Sequence, residues 1–444
     1  MKRKLLLIIV LLIGGLFVSC SGDDSGDKTQ NPVLPEIKEP LPITITELSS
    51  DFIINGQNLE LKGTNFINKD YPTIILFNDT EQVTAKEVTD TKIVIPITDA
   101  IKAGINSVKV QINKTLSSRS NFFVMKKGWN KLNGLGNIDI HTSNVFDDSN
   151  SIFSFADSDT RDFAFWGFPA KLQATSEGLT KTNVKQNGGS YGAFKMVNDK
   201  IGVLTNTNEA FYSNNGFETN NSTTVNSSFS PNINGLNIGY ADQNMSIVTT
   251  FRGGQIYTAD NGATIIKNEV LKWTARGSFY RAYITSFAKS ASNGKFYQLG
   301  VINDFMKEGS NKHRNIVLES TTGYSNWTVI DTISKANLDL THSYKFLNIN
   351  KVLVIDVTNK ALVASTDMLK TWNTIKTDVS SVFLRTETQW YIQSGDKIFV
   401  TKDSGVSWEL ELELPAGSVV NDISFSKSKI IVSGNKGLHY LKLE

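Results

Sequence analysis

Hydrophobic and polar residues alternate with a period of two along most of the chain after residue 42. Between residues 43 and 112, five short segments show this alternation: 43–46, 59–62, 73–76, 92–95 and 108–112. Turn-forming pairs such as Asn55-Gly56 and Ala103-Gly104 separate them. Half-buried strands at regular intervals predict a small β-sandwich over residues 42–126.

From residue 127 to 444 the same alternation is organised as a repeat. Seven times, a predicted strand is followed closely in sequence by a second one. These second strands start near 164, 211, 256, 316, 362, 398 and 438, at intervals of 36 to 60 residues. Units of about 40 to 50 residues with several short strands are typical of propeller blades. We therefore predict an all-β chain in which the sandwich precedes a seven-bladed β-propeller.

The two ends of the repeat predict how the ring closes. The last strand, 440–443, has no strand after it, whereas 128–132 has no partner directly behind the sandwich. We expect the segment from Trp129 to Leu132 to complete the seventh blade, because closure removes an open sheet edge. The alternative is a stack of open antiparallel sheets. The sandwich is expected to be a spacer with a small interface.

The first 41 residues have a different character. Lys2, Arg3 and Lys4 precede an apolar run over 5–18, which is short for a membrane span and suited to a signal peptide. The run ends at Ser19-Cys20, which resembles a bacterial lipobox and implies a signal peptide over 1–19 and lipidation of Cys20. The acidic, Ser/Gly-rich stretch at 21–27 resembles the export signal of Bacteroidota surface lipoproteins. We interpret 20–41 as a flexible tether.

Two further resemblances concern the predicted domains. The segment 59–66, Leu-Glu-Leu-Lys-Gly-Thr-Asn-Phe, is similar to the signature of IPT/TIG domains, an immunoglobulin-like family. There the glycine permits a tight bend and the phenylalanine fills the core, which implies these roles for Gly63 and Phe66.

The segment 401–408 resembles the Asp-box, S/T-x-D-x-G-x-x-W, of sialidase-like and sortilin-like propellers. Its carboxylate would bond turn amides, its glycine would take positive φ and its tryptophan would pack under the turn. Weaker copies recur, and the Asp-box residues are Thr401, Asp403, Gly405, Trp408, Ser365, Asp367, Trp372, Thr258, Asp260 and Gly262.

Composition narrows the function classes. The chain has 45 Lys and Arg against 43 Asp and Glu, and loss of Lys2, Arg3 and Lys4 leaves 42 against 43. Without a basic excess we expect no nucleic-acid partner. A single cysteine excludes an intrachain disulfide and multi-cysteine zinc sites, and the four histidines are scattered. We predict no metal and no cofactor.

Candidate binding residues follow from propeller topology. The connections from the second to the third strand, and from the fourth strand to the next blade, share one face, here named the loop face. The Asp-box turns lie on the opposite face. Candidates on the loop face are Asp157, Asp159, Arg161, Arg252, Phe305, His313 and Arg314, the last three in a long loop over 302–314. Asp157, Asp159 and Asp162 have spacing that Ca²⁺ ligands use, although an acidic turn explains them better.

These observations favour a non-catalytic, lipid-anchored outer-membrane protein that faces the extracellular side. It would bind a glycan or a surface protein, with Trp166, Trp273 and Trp390 as candidates for stacking on sugars. The alternatives are a polysaccharide hydrolase of the sialidase-like type and a platform for protein assembly. Phe251-Arg252-Gly253-Gly254 shares only two residues with the F/Y-R-I-P motif of sialidases, and a glycosidase would need two carboxylates in the central funnel.

Overall fold

The structure is a computed structural model, described here for residues 41–157, 167–176, 178–183, 192–206, 209–217, 223–226, 236–250, 254–260, 262–269, 280–290, 293–304, 313–333, 345–348, 350–367 and 370–444. Residues Pro42–Glu444 form one compact unit. All secondary structure in the described ranges is β-strand apart from turns. No helix in this part of the chain has the length and hydropathy needed to span a bilayer.

The first ten strands form two sheets. In chain order they are β1 (Thr44–Leu48), β2 (Phe52–Ile54), β3 (Asn58–Thr64), β4 (Thr73–Phe77), β5 (Glu81–Val83), β6 (Glu87–Val88), β7 (Lys92–Pro96), β8 (Gly104–Ile112), β9 (Thr115–Leu116) and β10 (Ser120–Met125). One sheet has the order β1-β3-β7-β6, and the other has the order β2-β10-β8-β4-β5 with β9 paired to β8. Only the β2–β10 pair is parallel among these strands.

Alternating burial along the strands places the sandwich core between the two sheets. Leu59 and Leu61 of β3 face Phe77 of β4 and Phe122 of β10, and all four are fully buried. Phe66 also fills this core, as the resemblance implied. Gly63 is required by close approach, because a Cβ there would collide with the Thr44 carbonyl oxygen and the Phe66 ring.

The remaining strands form seven four-stranded antiparallel sheets, which are the blades of a propeller. After β11 (Gly128–Lys131), the first three blades contain β12 (Ile140–Asn144), β13 (Phe153–Asp157), β14 (Gly167–Thr175) and β15 (Gly178–Asn183); β16 (Ala193–Met196), β17 (Gly202–Thr205), β18 (Glu209–Ser213) and β19 (Thr223–Asn226); and β20 (Leu236–Ala241), β21 (Ser246–Thr250), β22 (Gly254–Thr258) and β23 (Ile266–Glu269).

Blades 4 to 7 follow in the same up-and-down order. They contain β24 (Tyr280–Lys289), β25 (Phe296–Asp304), β26 (His313–Ser320) and β27 (Thr328–Ile333); β28 (Lys345–Asn348), β29 (Lys351–Asp356), β30 (Ala361–Ser365) and β31 (Asn373–Thr377); β32 (Ser381–Leu384), β33 (Trp390–Ser394), β34 (Lys397–Thr401) and β35 (Glu409–Glu413); and β36 (Val420–Phe425), β37 (Lys429–Gly434) and β38 (His439–Leu443). The predicted fold class is confirmed.

The first strands of the blades form the inner ring. Each blade's first or second strand contacts the first strand of the next blade, and β36 of blade 7 contacts β12 of blade 1. Apolar side chains fill the spaces between adjacent blades; for example, Phe153 and Phe155 of blade 1 pack with Phe194 and Leu204 of blade 2. The sheets therefore form a closed ring, and the alternative of an open stack is wrong.

Ring closure uses the segment that the sequence predicted. Strand β11 is antiparallel to β38, with Gly128 opposite Leu443 and Lys131 opposite Tyr440, and it completes the sheet order β11-β38-β37-β36. The Asn130 side chain also donates to the Leu441 carbonyl oxygen. The outer strand of blade 7 thus comes from the beginning of the propeller, and its inner three strands come from the end.

The sandwich is not a loosely attached spacer, which corrects the expectation of a small interface. Phe52, Phe123 and Met125 of the sandwich are buried in one apolar cluster with Leu172 of blade 1 and Leu441 of blade 7. Strand β10 contacts β14 directly. The two architectures therefore share a continuous core, because residues of β2 and β10 that face away from the sandwich core pack on the propeller instead.

Candidate functional site

The Asp-box turn of blade 6 closes on itself through hydrogen bonds. Asp403 accepts from the Thr401 hydroxyl at 2.7 Å and from the Ser407 amide at 2.9 Å. The Gly405 amide donates to Thr401 Oγ1, and Gly405 has φ +93°. Trp408 Nε1 donates back to the Gly405 carbonyl oxygen. Hydrogen bonds from the Ser407 hydroxyl and amide lower the pKa of Asp403 to about 2.

The turns of blades 3 and 5 repeat this arrangement. In blade 3, Asp260 accepts from the Thr258 hydroxyl and the Thr264 amide, and Gly262 has φ +92°. In blade 5, Ser365 and Thr371 donate to Asp367, which lowers the pKa of Asp367 to about 2. The side chain of Trp372 packs against the apolar cluster of blades 4 and 5. These carboxylates accept hydrogen bonds from their own turns, so the Asp-box turns have a structural role.

On the loop face, Asp157 lies at the end of β13, where the second strand leads into its connection. Its carboxylate is 2.6 Å from Nε2 of His141, the second residue of β12. The Asp157 amide donates to the Asp139 carbonyl oxygen, which fixes the position of the pair. Asp159, Arg161, Arg252 and Phe305 lie outside the described residues.

In blade 4, strands extend into both ends of the segment 302–314 that was predicted to be a long loop. Strand β25 continues to Asp304 and β26 begins at His313, with Asn303 opposite His313 and Ile302 opposite Arg314. His313 and Arg314 are therefore strand residues, a correction to their placement in a loop. Strand β24 extends equally far, since Tyr280 pairs with Asp304.

Trp390 is wrong as a candidate for stacking on sugars. Its side chain has no exposed surface, it packs in the core of blades 5 and 6, and its Nε1 donates to the Glu387 carbonyl oxygen. A side chain this deeply buried cannot offer a ring face to a ligand. Trp166 and Trp273 lie outside the described residues.

Polar side chains of the inner strands meet at the central channel. Asp422 on β36 accepts from the hydroxyls of Thr142 on β12 and Ser424 on β36. The carboxylate also attracts Lys345, the first residue of β28, although burial lowers the pKa of that lysine. Lys345 and Asp422 lie on the inner strands of blades 5 and 7, which blade 6 separates. Sequence reasoning missed this pair because 77 residues separate two otherwise unremarkable strand positions.

The described residues contain no group of three or more His, Cys, Asp or Glu side chains arranged to hold a metal ion. Near the channel, Asp422 is held by hydroxyls and Asp157 by His141. These groups offer hydrogen bonds and single charges of both signs to a ligand. Such a set suits recognition of polar groups.

Comparisons with known proteins extend this description. No family model matches the chain, and no curated protein matches it in sequence. Among solved structures it is similar to YCF48 from Cyanidioschyzon merolae, with 12% identity and a TM-score of 0.49 over 71% of this chain and 98% of that one. It is also similar to an auxiliary nutrient binding protein from Bacteroides thetaiotaomicron, with 10% identity and a TM-score of 0.36 over 91% and 98% of the two chains.

Proposed function

We propose that this protein is a non-catalytic lipoprotein of the outer membrane that binds a glycan or a surface protein through the loop face of its propeller. Cys20 would carry the lipid, residues 20–41 would be the tether, and an IPT/TIG-like sandwich would precede an Asp-box propeller. The protein would face the extracellular side of the membrane.

The observation that carries the proposal is the length of blade 4 toward the loop face. Strand β25 has nine residues, whereas the corresponding strands of blades 2 and 3 have four and five. At about 3.4 Å per residue, four extra residues lengthen the hairpin by roughly 13 Å. A blade extended on one face provides a wall against which a large ligand can dock.

The position of the sandwich also favours the loop face as the binding surface. The sandwich contacts blade 1 at the end of β14, which leads into the turn between the third and fourth strands. That turn belongs to the Asp-box side. The paired side chains of Asp157 and His141 instead lie at the loop-face ends of β13 and β12, and Lys345 begins β28 at the same end of its blade.

The test uses the mature protein on a glycan array and in a pull-down from outer-membrane extract. Replacing residues 303–313 by Asn-Gly shortens the blade 4 hairpin with a favoured two-residue turn and keeps Ile302 opposite Arg314. We expect this change to abolish binding, and the changes Trp166→Ala and Trp273→Ala to reduce binding to glycans. Val406→Ala, on an exposed Asp-box turn, is the matched control and should bind normally.

Retention of neither a glycan nor a protein by the unaltered chain would reject the proposal. Release of reducing sugar from a polysaccharide would instead identify the hydrolase alternative.

The proposed anchor is tested separately. Cys20→Ala should remove the protein from the membrane fraction, because Cys20 would carry both the diacylglyceryl group and the N-acyl chain, and stable anchoring needs more than one chain. Localisation by fractionation after export measures this. A Cys20→Ala protein that remains in the membrane fraction would contradict the lipobox interpretation.

A further inference from the structure

A polar cleft lies where the sandwich meets blade 1. Its volume is about 530 Å³, within the range of small-molecule sites. One wall is the segment Thr46–Phe52 together with Asn121 of β10, and the other is Lys171–Ala174 of β14 with Asn150 and Ser151. The cleft is remote from the loop face, because β14 runs toward the Asp-box side at these residues.

The walls of the cleft are fixed relative to each other. Beneath it, Phe52 and Phe123 are in ring contact and share an apolar cluster with Leu172 of the opposite wall. At its edge, the Asn150 amide donates to Gln57 Oε1 across the junction at 3.0 Å. Since the walls are joined by a buried core, the cleft exists before any ligand arrives, which lowers the entropy cost of binding.

Two opposite charges face this cleft without pairing. The backbone of Asp51 is held by the Phe123 amide, but its half-buried carboxylate has no hydrogen-bond partner among the described residues. Burial raises the pKa of the Asp51 carboxyl, and the positive charge of Lys171 opposes that rise. The Lys171 ammonium lies 6.0 Å from the centre of the Phe153 ring and forms no ion pair with a described carboxylate.

A third group is also left without a partner. Asn121 Oδ1 is buried and accepts no hydrogen bond from the described residues. By contrast, Glu47, the remaining charged residue of the lining, is paired with Lys62 at 3.1 Å. A desolvated acceptor without a donor costs stability, and the same is true of a desolvated carboxylate. Both costs would be relieved by a ligand that supplies the missing donors.

We propose that the cleft binds a short zwitterionic peptide, with its terminal ammonium at Asp51, its terminal carboxylate at Lys171 and a peptide N–H donated to Asn121 Oδ1. A peptide is favoured over a neutral sugar because the unpaired groups have opposite charges. It is favoured over a simple ion because the cleft is large and the third unsatisfied group requires a further hydrogen-bond donor, which a peptide N–H supplies. This site is independent of the function proposed for the loop face.

Calorimetric titration of the full-length protein with tri-L-alanine tests the site. We expect one peptide to bind per chain, and Asp51→Asn to weaken binding at least tenfold. The unaltered protein should bind N-acetyl-tri-L-alanine at least tenfold more weakly than tri-L-alanine, because acetylation removes the ammonium group. Asp51→Asn should bind the two peptides with equal affinity. Lys171→Met should likewise weaken binding of tri-L-alanine, and C-terminal amidation of the peptide should weaken its binding to the unaltered protein to a similar extent. Lys171→Met should bind the free and amidated peptides equally.

Glu47→Gln is the matched control, because Glu47 lines the same cleft but is already paired with Lys62. The affinity of this variant for tri-L-alanine should equal that of the unaltered protein. The melting temperature separates a binding group from a structural one: Asp51→Asn should melt at or above the unaltered protein, since it removes a desolvated charge. The proposal is overturned if tri-L-alanine does not bind, if Asp51→Asn leaves affinity unchanged, or if that variant melts lower.

Discussion

The Asp-box turns and the closing seam of the ring both depend on polar contacts, but over very different distances in the chain. In the turn of blade 6, Thr401, Asp403, Gly405 and Ser407 satisfy one another within seven residues at an exposed hairpin. The closing seam is defined here as β11, β12 and residues 145–152 on one side and β36–β38 on the other. The side-chain hydrogen bonds across it join residues that are 279 to 311 positions apart.

The seam is also more deeply buried. Ser143 contacts both Ser433 and His439, and all three side chains are buried between blades 1 and 7. Lys429 donates to carbonyl oxygens of Phe146 and Ser149 and is itself buried. The Asp-box turns thus stabilise hairpins within single blades, whereas non-repeated residues hold the ring together. Perturbing the seam should therefore have the larger effect on stability.

The largest effect is expected from Leu441→Ala. Leu441 lies on β38 beside β11 and is buried in the cluster shared by sandwich and propeller, so its truncation should cost about 2–5 kcal/mol. Denaturant unfolding measures the loss. Leu410→Ala is the control, since Leu410 is half exposed on the outer strand of blade 6 and should change stability by about 0.5 kcal/mol or less. Equal losses in the free energy of unfolding for the two variants would show that the seam contributes no more to stability than an exposed outer strand.

Acid should weaken the seam through His439. Burial lowers the pKa of His439 to about 3 from an ordinary 6.5. Between these values the unfolded chain binds more protons than the native chain, so the free energy of unfolding falls as pH falls, by up to about 1.4 kcal/mol per pH unit.

His439→Gln should flatten the dependence of unfolding on pH between 6.5 and 4. Ser433→Ala, which lies buried in the same seam and has no ionisable group, should leave that dependence unchanged. Identical pH profiles for the two variants would contradict the role of His439.

A smaller loss is expected from Asp147→Ala. Asp147 accepts from the hydroxyls of Ser426 and Ser428 and from the amides of Lys427 and Ser428, and the backbone and hydroxyl donors hold its pKa well below the ordinary value. Because the site is exposed, water replaces part of these bonds, and we expect a loss of about 1–2 kcal/mol. Asp148→Ala, one residue further along, should have little effect. A loss as large for Asp148→Ala would point to charge alone.

The smallest effect is expected from Asp403→Ala, which removes an exposed acceptor from one hairpin turn. The melting temperature should fall less than for Asp147→Ala. Faster hydrogen exchange should be confined to the amides of 401–408, with Lys402→Ala as the control. Exchange that spreads through blade 7 would show that the turn supports the ring.

Local chemistry decides how much of this structure the sequence could predict. The Asp-box residues have a signal within ten residues, the blade number followed from seven recurring strand pairs, and the closing strand followed from the unpaired segments at the two ends of the repeat. Trp390 was misassigned because a tryptophan at a strand position has the same pattern whether it faces solvent or a neighbouring blade. Asp51 and Lys171 are 120 residues apart, and only the packing of β10 on β14 brings them to one cleft.

The pairing of β11 with β38 has a consequence in time. Asn130 and Leu441 are 311 residues apart, and a chain made at 5–20 residues per second needs roughly 15–60 s to span that interval. Throughout this delay β11 has no partner strand, and unpaired strand edges invite association with other chains. Strand β38 therefore completes the ring, so a chain that ends before β38 leaves its first propeller strand without a partner.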